Sequence, residues 1–167
     1  MSSQYYDYQL TLDKIIRRAA SLYPDTEIVY APPNGQVIRS NYANEWDRIQ
    51  RLGSVLEELG GVKPGEPGKF GSRVAVLDWN TIRHYELYFG IPMYGAVLHT
   101  VNVLLAPEDI IYTLLQAQDE VLFINEDFIP PSQGSGITRE DHKEGGYNER
   151  KDRTWRGKLR WSRGLLV

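Results

Sequence analysis

The sequence predicts an α/β fold: a partial, doubly wound, mostly parallel sheet, preceded by a helix and a β-hairpin and followed by a poorly ordered tail. Two observations support this class. Three short apolar runs, at 73–78, 96–101 and 120–125, alternate with two stretches of helical periodicity. After Phe128, aliphatic residues become scarce while Gly, Ser and charged residues accumulate, and such a segment buries too little surface to offset its ordering entropy.

The composition is that of an ordinary globular domain. Of 167 residues, 41% are hydrophobic and 25% are charged, and the formal net charge is -3, so there is no overall attraction to nucleic acid or to an anionic membrane surface. The lack of cysteine excludes disulfides and thiolate catalysis and fits a reducing compartment. Because we find neither a secretory leader nor an apolar run of ~18 to 20 residues, we expect a cytoplasmic protein without a membrane span.

The first elements are a helix and a hairpin. Thr11 is placed to cap the helix and Pro24 to close it. Two segments, 27–31 and 36–40, flank a Pro-Asn-Gly turn, which favours a β-hairpin. The helical stripe consists of Leu12, Ile15, Ile16, Ala19 and Leu22.

A long amphipathic helix is predicted from Ser40 to the pair Gly60-Gly61, which can supply a left-handed C-cap. Its apolar stripe consists of Tyr42, Trp46, Ile49, Leu52, Leu56 and Leu59. The Gly-rich segment 60–71 follows. Its Gly68-Lys69 pair lacks the glycine that a phosphate-binding P-loop needs five positions before the second one, because residue 63 is Lys. We interpret this segment as a flexible surface connection.

Two helices separate the three strands. The first can be capped by Asn80 or Thr81, and its apolar positions are Tyr85, Tyr88, Phe89 and Pro92. Pro107 suits the first turn of the second helix, where Glu108 and Asp109 favour the positive helix end. The predicted buried side of that helix consists of Ile110, Ile111, Leu114 and Leu115.

Three residues lie where open α/β sheets bind ligands, at the carboxyl ends of strands. These are Asp78 and the pair His99-Thr100. For His99 we favour a hydrogen-bonded structural role over a functional one, and for Asp78 we favour capping of the following turn. His84, His99 and His142 lie in a helix, a strand and the tail, so they share no metal-ligand spacing and we expect no metal site.

The adjacent carboxylates Glu57-Glu58, Glu108-Asp109 and Asp119-Glu120 are interpreted as exposed, solvated groups without an acid-base role. The sequence therefore indicates no catalytic residue, and the cofactor-binding residues stay unknown.

The tail contains two segments with binding chemistry. Residues 132–140, SQGSGITRE, offer amides and hydroxyls to a phosphate but end without a lysine, so we favour a solvated linker. Residues 150–163 hold seven Lys or Arg against one Asp, with Trp155 and Trp161 between them. Such a mixture can hold single-stranded nucleic acid, but we favour an exposed basic tail and do not expect a nucleic-acid partner.

Three blocks of the chain, 10–30, 39–65 and 73–128, resemble the N-terminal part of the adenylate-forming acyl-CoA synthetases, especially the medium- and long-chain fatty-acid CoA ligases. The resemblance implies a reaction in which ATP, with Mg²⁺, activates a carboxylate to an acyl-adenylate and the CoA thiol then attacks. It also implies fatty acid, ATP and CoA as partners of the complete enzyme.

The reacting parts of that family have no match in this chain. The family carries a phosphate loop ending in Lys, an aromatic-Thr-Glu stretch, a ribose-binding Asp, a hinge and a catalytic Lys. We therefore assign no catalytic residue and expect no cofactor for this fragment. Two further departures are an expanded turn at 63–76 and Leu104, which stands where the resemblance implies Arg or another polar residue.

We accordingly interpret residues 1–128 as the N-terminal portion of the large domain of an acyl-CoA synthetase, and 129–167 as a low-order tail produced by a frameshift or gene disruption. On this hypothesis the chain is a truncated fatty-acid CoA ligase that is inactive alone. Two alternatives stay open: a binding module whose basic tail contacts nucleic acid, and a non-catalytic partner of a full-length synthetase. Exposed sheet edges would also permit self-association.

Overall fold

The structure is a computed structural model that describes residues 11–32, 35, 37–58 and 61–129, together with the backbone of 158–161. The helices are α1 Leu12–Leu22, α2 Tyr42–Glu58, α3 Ile82–Tyr94 and α4 Pro107–Ala117. The strands are β1 Glu27–Tyr30, β2 Ile38–Asn41, β3 Arg73–Leu77, β4 Val97–Thr100, β5 Val121–Ile124 and β6 Lys158–Trp161. No helix in the described part of the chain is long and apolar enough to cross a membrane.

The strands form two sheets. β1 and β2 pair antiparallel, with Tyr30 opposite Ile38, which confirms the predicted hairpin. β3, β4 and β5 are parallel in the order β4-β3-β5, so the chain steps to one side of β3 through α3 and then crosses to its other side through α4. This reversal of direction is the signature of a doubly wound sheet.

The central strand β3 is covered on both faces. Val74 and Val76 pack into a core with the apolar sides of α2 and α3, whereas Ala75 and Leu77 pack with residues of α4. All four side chains are at most 4% exposed. The prediction of a continuous apolar strand buried on both faces, in an α/β sheet, is confirmed.

The buried faces of the helices differ from the predicted stripes. On α1 only Ile16 is buried, and Ile15 is 52% exposed. On α3 the predicted residue Tyr88 is 43% exposed, whereas Tyr85 and Phe89 are half-buried, and both tyrosines contact Phe89 edge to face. The buried residues of α3 are Ile82, Glu86, Leu87, Gly90 and Ile91. On α4 the predicted core residue Ile111 is 56% exposed.

The Gly-rich connection between α2 and β3 is held in place, although the sequence suggested flexibility. The backbone N–H of Gly65 donates to the carbonyl oxygen of Gly95 at 2.8 Å. A Cβ on Gly71 would lie 2.3 Å from the same oxygen. Gly95 caps α3 in the left-handed conformation, with φ of 92°. These glycines therefore serve close backbone packing between the connection and the end of α3.

A fourth parallel strand, β6, pairs with β5, with Val121 opposite Lys158. The sequence analysis predicted no strand within 129–167. The tail segment 132–140, His142 and most of 150–163 lie outside the described residues, as does Gly60, so the predictions made for them stay predictions.

Candidate functional site

A cavity of about 380 Å³ opens at the carboxyl ends of β3 and β5. Because β3 lies between β4 and β5, this is the point where the strand order reverses, and ligands of open α/β proteins bind at such points. The hairpin forms one wall, and α2 and the start of α3 form another. The lining residues are Tyr30, Ile38, Ser40, Glu45, Arg48, Asp78, Thr81, Ile82, Arg83, Asn125 and Glu126.

Asp78 ties the two strand ends together. Its Oδ2 accepts a hydrogen bond of 2.6 Å from the Thr81 hydroxyl, and its Oδ1 accepts one of 2.5 Å from the Asn125 amide. Thr81 in turn caps α3 by accepting from the backbone N–H of His84 at 3.1 Å. Asp78 thus contacts the capping residue Thr81 by its side chain and does not itself accept from a backbone N–H in the hydrogen bonds described, and the same residue lines the cavity.

A second link at this edge joins Trp79 to the turn that follows β5. The indole Nε1 donates to Oδ2 of Asp127 at 2.9 Å, and the Trp79 and Phe128 ring centroids are 4.9 Å apart. Together with the hydrogen bonds of Asp78, this contact fixes the short 3₁₀ turn Glu126–Phe128 against the end of β3.

A cluster of charged side chains connects α2 to α3 beside the cavity. Nε of Arg48 donates to Oε1 of Glu86 at 2.6 Å, and Arg83 donates to the two oxygens of Glu86 at 3.1 and 3.3 Å. The hydroxyl of Ser40 donates to Oε1 of Glu45 at 2.5 Å. The hydrogen bond from Arg48 to Glu86 joins α2 to α3, and the bond from Ser40 to Glu45 joins β2 to α2. The cluster therefore fixes both helices at this edge of the sheet.

Burial controls the titration of both glutamates. It is the largest cause that raises the pKa of Glu45, and the nearby Glu86 adds to the rise, whereas the Ser40 hydrogen bond and Arg48 oppose it. Burial also raises the pKa of Glu86, and the hydrogen bond and charge of Arg48 oppose that rise. The neutral acid is thus favoured at this position more than at an exposed glutamate.

His99 pairs with Asp119 away from the cavity lining. Nδ1 of His99 and Oδ2 of Asp119 are 2.7 Å apart, which confirms the hydrogen-bonded role predicted for this histidine. The prediction that the Asp119-Glu120 pair is solvated is wrong for Asp119, which is only 4% exposed. Burial raises the pKa of Asp119, and the hydrogen bond and charge of His99 oppose the rise.

The other predicted residues lie apart. His84 is in the first turn of α3, and its Nδ1 is buried without a hydrogen-bond partner among the described residues. Thr100 is exposed at the end of β4. The carboxylates Glu57, Glu58, Glu108 and Asp109 are exposed, as expected. Within the described ranges no three His, Cys, Asp or Glu side chains group so as to hold a metal ion.

Sequence reasoning missed the two buried glutamates. Glu45 lies in phase with the buried residues Ile49, Leu52 and Leu56 of α2, and an acid on an apolar stripe was a signal that could have been read. Glu86 lies in the same way among the buried residues of α3. It was missed because the predicted apolar face of α3 was based on the aromatic residues Tyr85, Tyr88 and Phe89, which are not among the buried residues of that helix.

Comparisons with known proteins identify relatives of this chain. The sequence pattern of the family described as AMP-binding enzyme matches residues 16–157. A long-chain-fatty-acid CoA ligase of Thermus thermophilus is 40% identical over 129 residues, covering 77% of this chain and 22% of that protein. A 3-methylmercaptopropionyl-CoA ligase of Ruegeria pomeroyi is 37% identical over 134 residues, covering 80% and 24%. The chain spans less than a quarter of the length of these curated relatives.

The fold agrees with this relationship. The solved structure of a Mycobacterium tuberculosis fatty acyl CoA synthetase superposes with a TM-score of 0.56 at 25% identity, over 68% of this chain and 21% of that one. The matched range of the family pattern includes α2, α3, α4 and the whole parallel core of β3, β4 and β5. The resemblance seen in the three sequence blocks is therefore confirmed, and the chain belongs to the AMP-binding enzyme family.

Proposed function

We propose that this chain forms the N-terminal portion of the large domain of an acyl-CoA ligase of the medium- or long-chain fatty-acid type. The observation that carries the proposal is the 40% identity over 129 residues to a long-chain-fatty-acid CoA ligase, along a doubly wound core of the same family. The proposed role of these residues is a scaffold that positions the reacting segments of a complete enzyme. A cytoplasmic location is part of the proposal.

In the proposed reaction a fatty-acid carboxylate oxygen attacks the α-phosphorus of ATP and pyrophosphate leaves, giving an acyl-adenylate. The thiol of CoA then attacks the acyl carbon and AMP leaves. Both steps need hydrogen-bond donors and cations held around the phosphates, since catalysis of such transfers is mainly positioning and electrostatic stabilisation. Fatty acid, ATP and CoA are the proposed substrates of the complete enzyme.

The described residues do not fit a magnesium site. Both oxygens of Asp78 already accept hydrogen bonds from Thr81 and Asn125. The carboxylate of Glu86 is paired with Arg48 and Arg83. In the described ranges no three His, Cys, Asp or Glu side chains are grouped so that they could hold a metal ion. A hard cation needs carboxylate or carbonyl oxygens that are free to coordinate it, so no step is assigned to a metal here.

The glycine-rich connection also lacks the geometry of a phosphate loop. Lys69 lies on the surface with its side chain 76% exposed, and its Nζ pairs with Glu66 at 3.2 Å. It follows Gly68 in a turn that precedes β3, whereas a P-loop lysine lies between a strand and the helix after it. We therefore infer that this chain does not activate carboxylates by itself.

An ATP-pyrophosphate exchange assay tests the proposal. The purified chain, incubated with labelled pyrophosphate, ATP, Mg²⁺ and saturated fatty acids of medium and long chain length, should give background exchange. A complete fatty-acid CoA ligase, assayed in parallel, serves as the positive control. Exchange above background that is lost in Arg83→Ala but retained in the surface variant Glu57→Gln would show that the chain holds reacting groups, and the scaffold role would be abandoned.

A further inference from the structure

We propose that Glu45 is a neutral carboxylic acid that donates a hydrogen bond to the Glu86 carboxylate, and that this proton forms a pH-sensitive link between α2, α3 and the hairpin. The link would exist whether or not the chain takes part in acyl activation. Two observations support this proposal: the different surroundings of the two carboxyl oxygens of Glu45, and the pairing of Glu86 with two arginines.

The oxygens of Glu45 have unequal surroundings. The residue is 1% exposed, and Oε1 accepts the short hydrogen bond from Ser40. Oε2 is buried and receives no hydrogen bond from any described residue. An ionised carboxylate is an acceptor only, and leaving its oxygen buried without a donor is costly. A proton on Oε2 removes that cost, because the oxygen then becomes a donor.

Glu86 is the acceptor for this proton. The guanidinium groups of Arg48 and Arg83 both contact its carboxylate, Arg48 at 2.6 Å and Arg83 at 3.1 Å, and the hydrogen bond and charge of Arg48 oppose the rise of the Glu86 pKa that burial causes. Glu45 and Arg48 both line the cavity from α2, and Arg48 donates to Glu86; the charge of Glu86 raises the pKa of Glu45. Two adjacent carboxyl groups that share one proton titrate as a coupled pair, and the arginines place the proton on Glu45.

The charge of Arg48 opposes the raised pKa of Glu45, but Arg48 and Arg83 both donate to Glu86. The remaining titratable neighbours are Tyr42 of α2 and Tyr85 of α3, and burial raises the pKa of the Tyr85 phenol to about 12. Asp78 and Glu126 line the same cavity and are acidic. Burial, followed by the charge of Glu86, therefore favours the neutral form of Glu45, against the opposing Ser40 hydrogen bond and Arg48 charge.

The link depends on pH with a definite sign. The pKa of Glu45 is raised in the fold above its unfolded value, which is about 4.3 for glutamic acid. The stabilisation is therefore complete below the unfolded pKa and is lost as the pH rises through the folded pKa. Above that pH two carboxylates face each other between α2 and α3, and the cavity gives water a route to Glu45.

Carbon-13 NMR of the side-chain carboxyl groups tests the link in the full chain. The Glu45 resonance, identified by its loss in Glu45→Gln, should titrate above the unfolded value of about 4.3. The variant Glu86→Gln should move the Glu45 midpoint down toward that value, because it removes the facing carboxylate and frees two arginines. A wild-type Glu45 midpoint at or below the unfolded value would overturn the proposal.

Unfolding measurements give a second, independent readout. As the pH rises from the unfolded value of about 4.3 through the folded pKa, the wild-type chain should lose stability relative to Glu45→Gln, whose amide can donate to Glu86 at every pH. The matched control Glu57→Gln, at the exposed end of the same helix, should follow the wild-type profile. Parallel pH profiles for wild type and Glu45→Gln would show that Glu45 releases its proton at the same pH in the folded and unfolded chain, which contradicts the shared proton.

Discussion

Nε of Arg48 lies 2.6 Å from Oε1 of Glu86 and thereby joins α2 to α3 across 38 positions of the chain. The carboxylate of Glu86 is only 10% exposed, so the contact is partly screened from water. Removal of one partner from such a pair leaves a buried charge with fewer hydrogen bonds. This contact is the structural feature on which the position of both helices beside the cavity depends.

Replacement of Arg48 by Met should lower the free energy of unfolding by about 1 to 3 kcal/mol, because Glu86 keeps only the longer contacts with Arg83. Chemical denaturation by urea measures the change. Arg51→Met is the control in the same helix. Its pair with Asp47 has both side chains more than half exposed, so the expected change is below about 0.5 kcal/mol. Equal losses in the two variants would argue against a special role for the Arg48 contact.

The packing of α2 on α3 predicts opposite effects of alanine at two helical glycines. A Cβ on Gly90 would lie 2.4 Å from Cδ2 and 3.2 Å from Cγ of Leu52, which is buried in the core. Gly90→Ala should therefore destabilise the chain by about 1 to 3 kcal/mol. At Gly53 the nearest atom is 4.0 Å away, in Tyr94, so Gly53→Ala should stabilise it by roughly 0.5 to 1 kcal/mol through helix propensity.

Thermal or urea unfolding of the two alanine variants decides between these signs. Stabilisation by Gly90→Ala would mean that α2 and α3 are further apart than the structure places them.

The His99-Asp119 pair predicts a titration effect. Burial raises the pKa of Asp119, and His99 opposes the rise. His99→Gln should therefore raise the Asp119 titration midpoint further, as measured by carbon-13 NMR of its carboxyl carbon. Since the folded pKa then lies further above the unfolded value, the variant should lose unfolding free energy more steeply than wild type as the pH rises through that range.

An unchanged or lower midpoint for Asp119 in His99→Gln would show that the histidine does not stabilise the carboxylate.

Most of the fold could be predicted from local sequence signals. The apolar runs of β3, β4 and β5 and the Pro at the start of α4 gave element positions within one or two residues, because period and turn chemistry are local properties. The buried faces were less predictable. The aromatic residues of α3 follow helical spacing but are only half-buried or exposed, whereas Glu86, Leu87 and Ile91 are buried, so periodicity alone did not identify the buried face.

Local sequence patterns could not predict the cavity. Ser40, Arg48 and Asp78 belong to separate elements and meet only through the packing of the hairpin, α2 and the end of β3. Asp119 was assigned to solvent because its partner, His99, lies 20 positions earlier on another strand. Long-range pairs of this kind are set by sheet topology, which a single apolar pattern does not specify.

The central claim is that these residues are a scaffold and hold no nucleotide by themselves. Crystals of the chain soaked with ATP and Mg²⁺ test it most directly. We expect no ordered triphosphate contacted by side chains of this chain, either at the cavity or at the Gly-rich connection. An ordered triphosphate held by Arg48, Arg83 or Lys69 would contradict it.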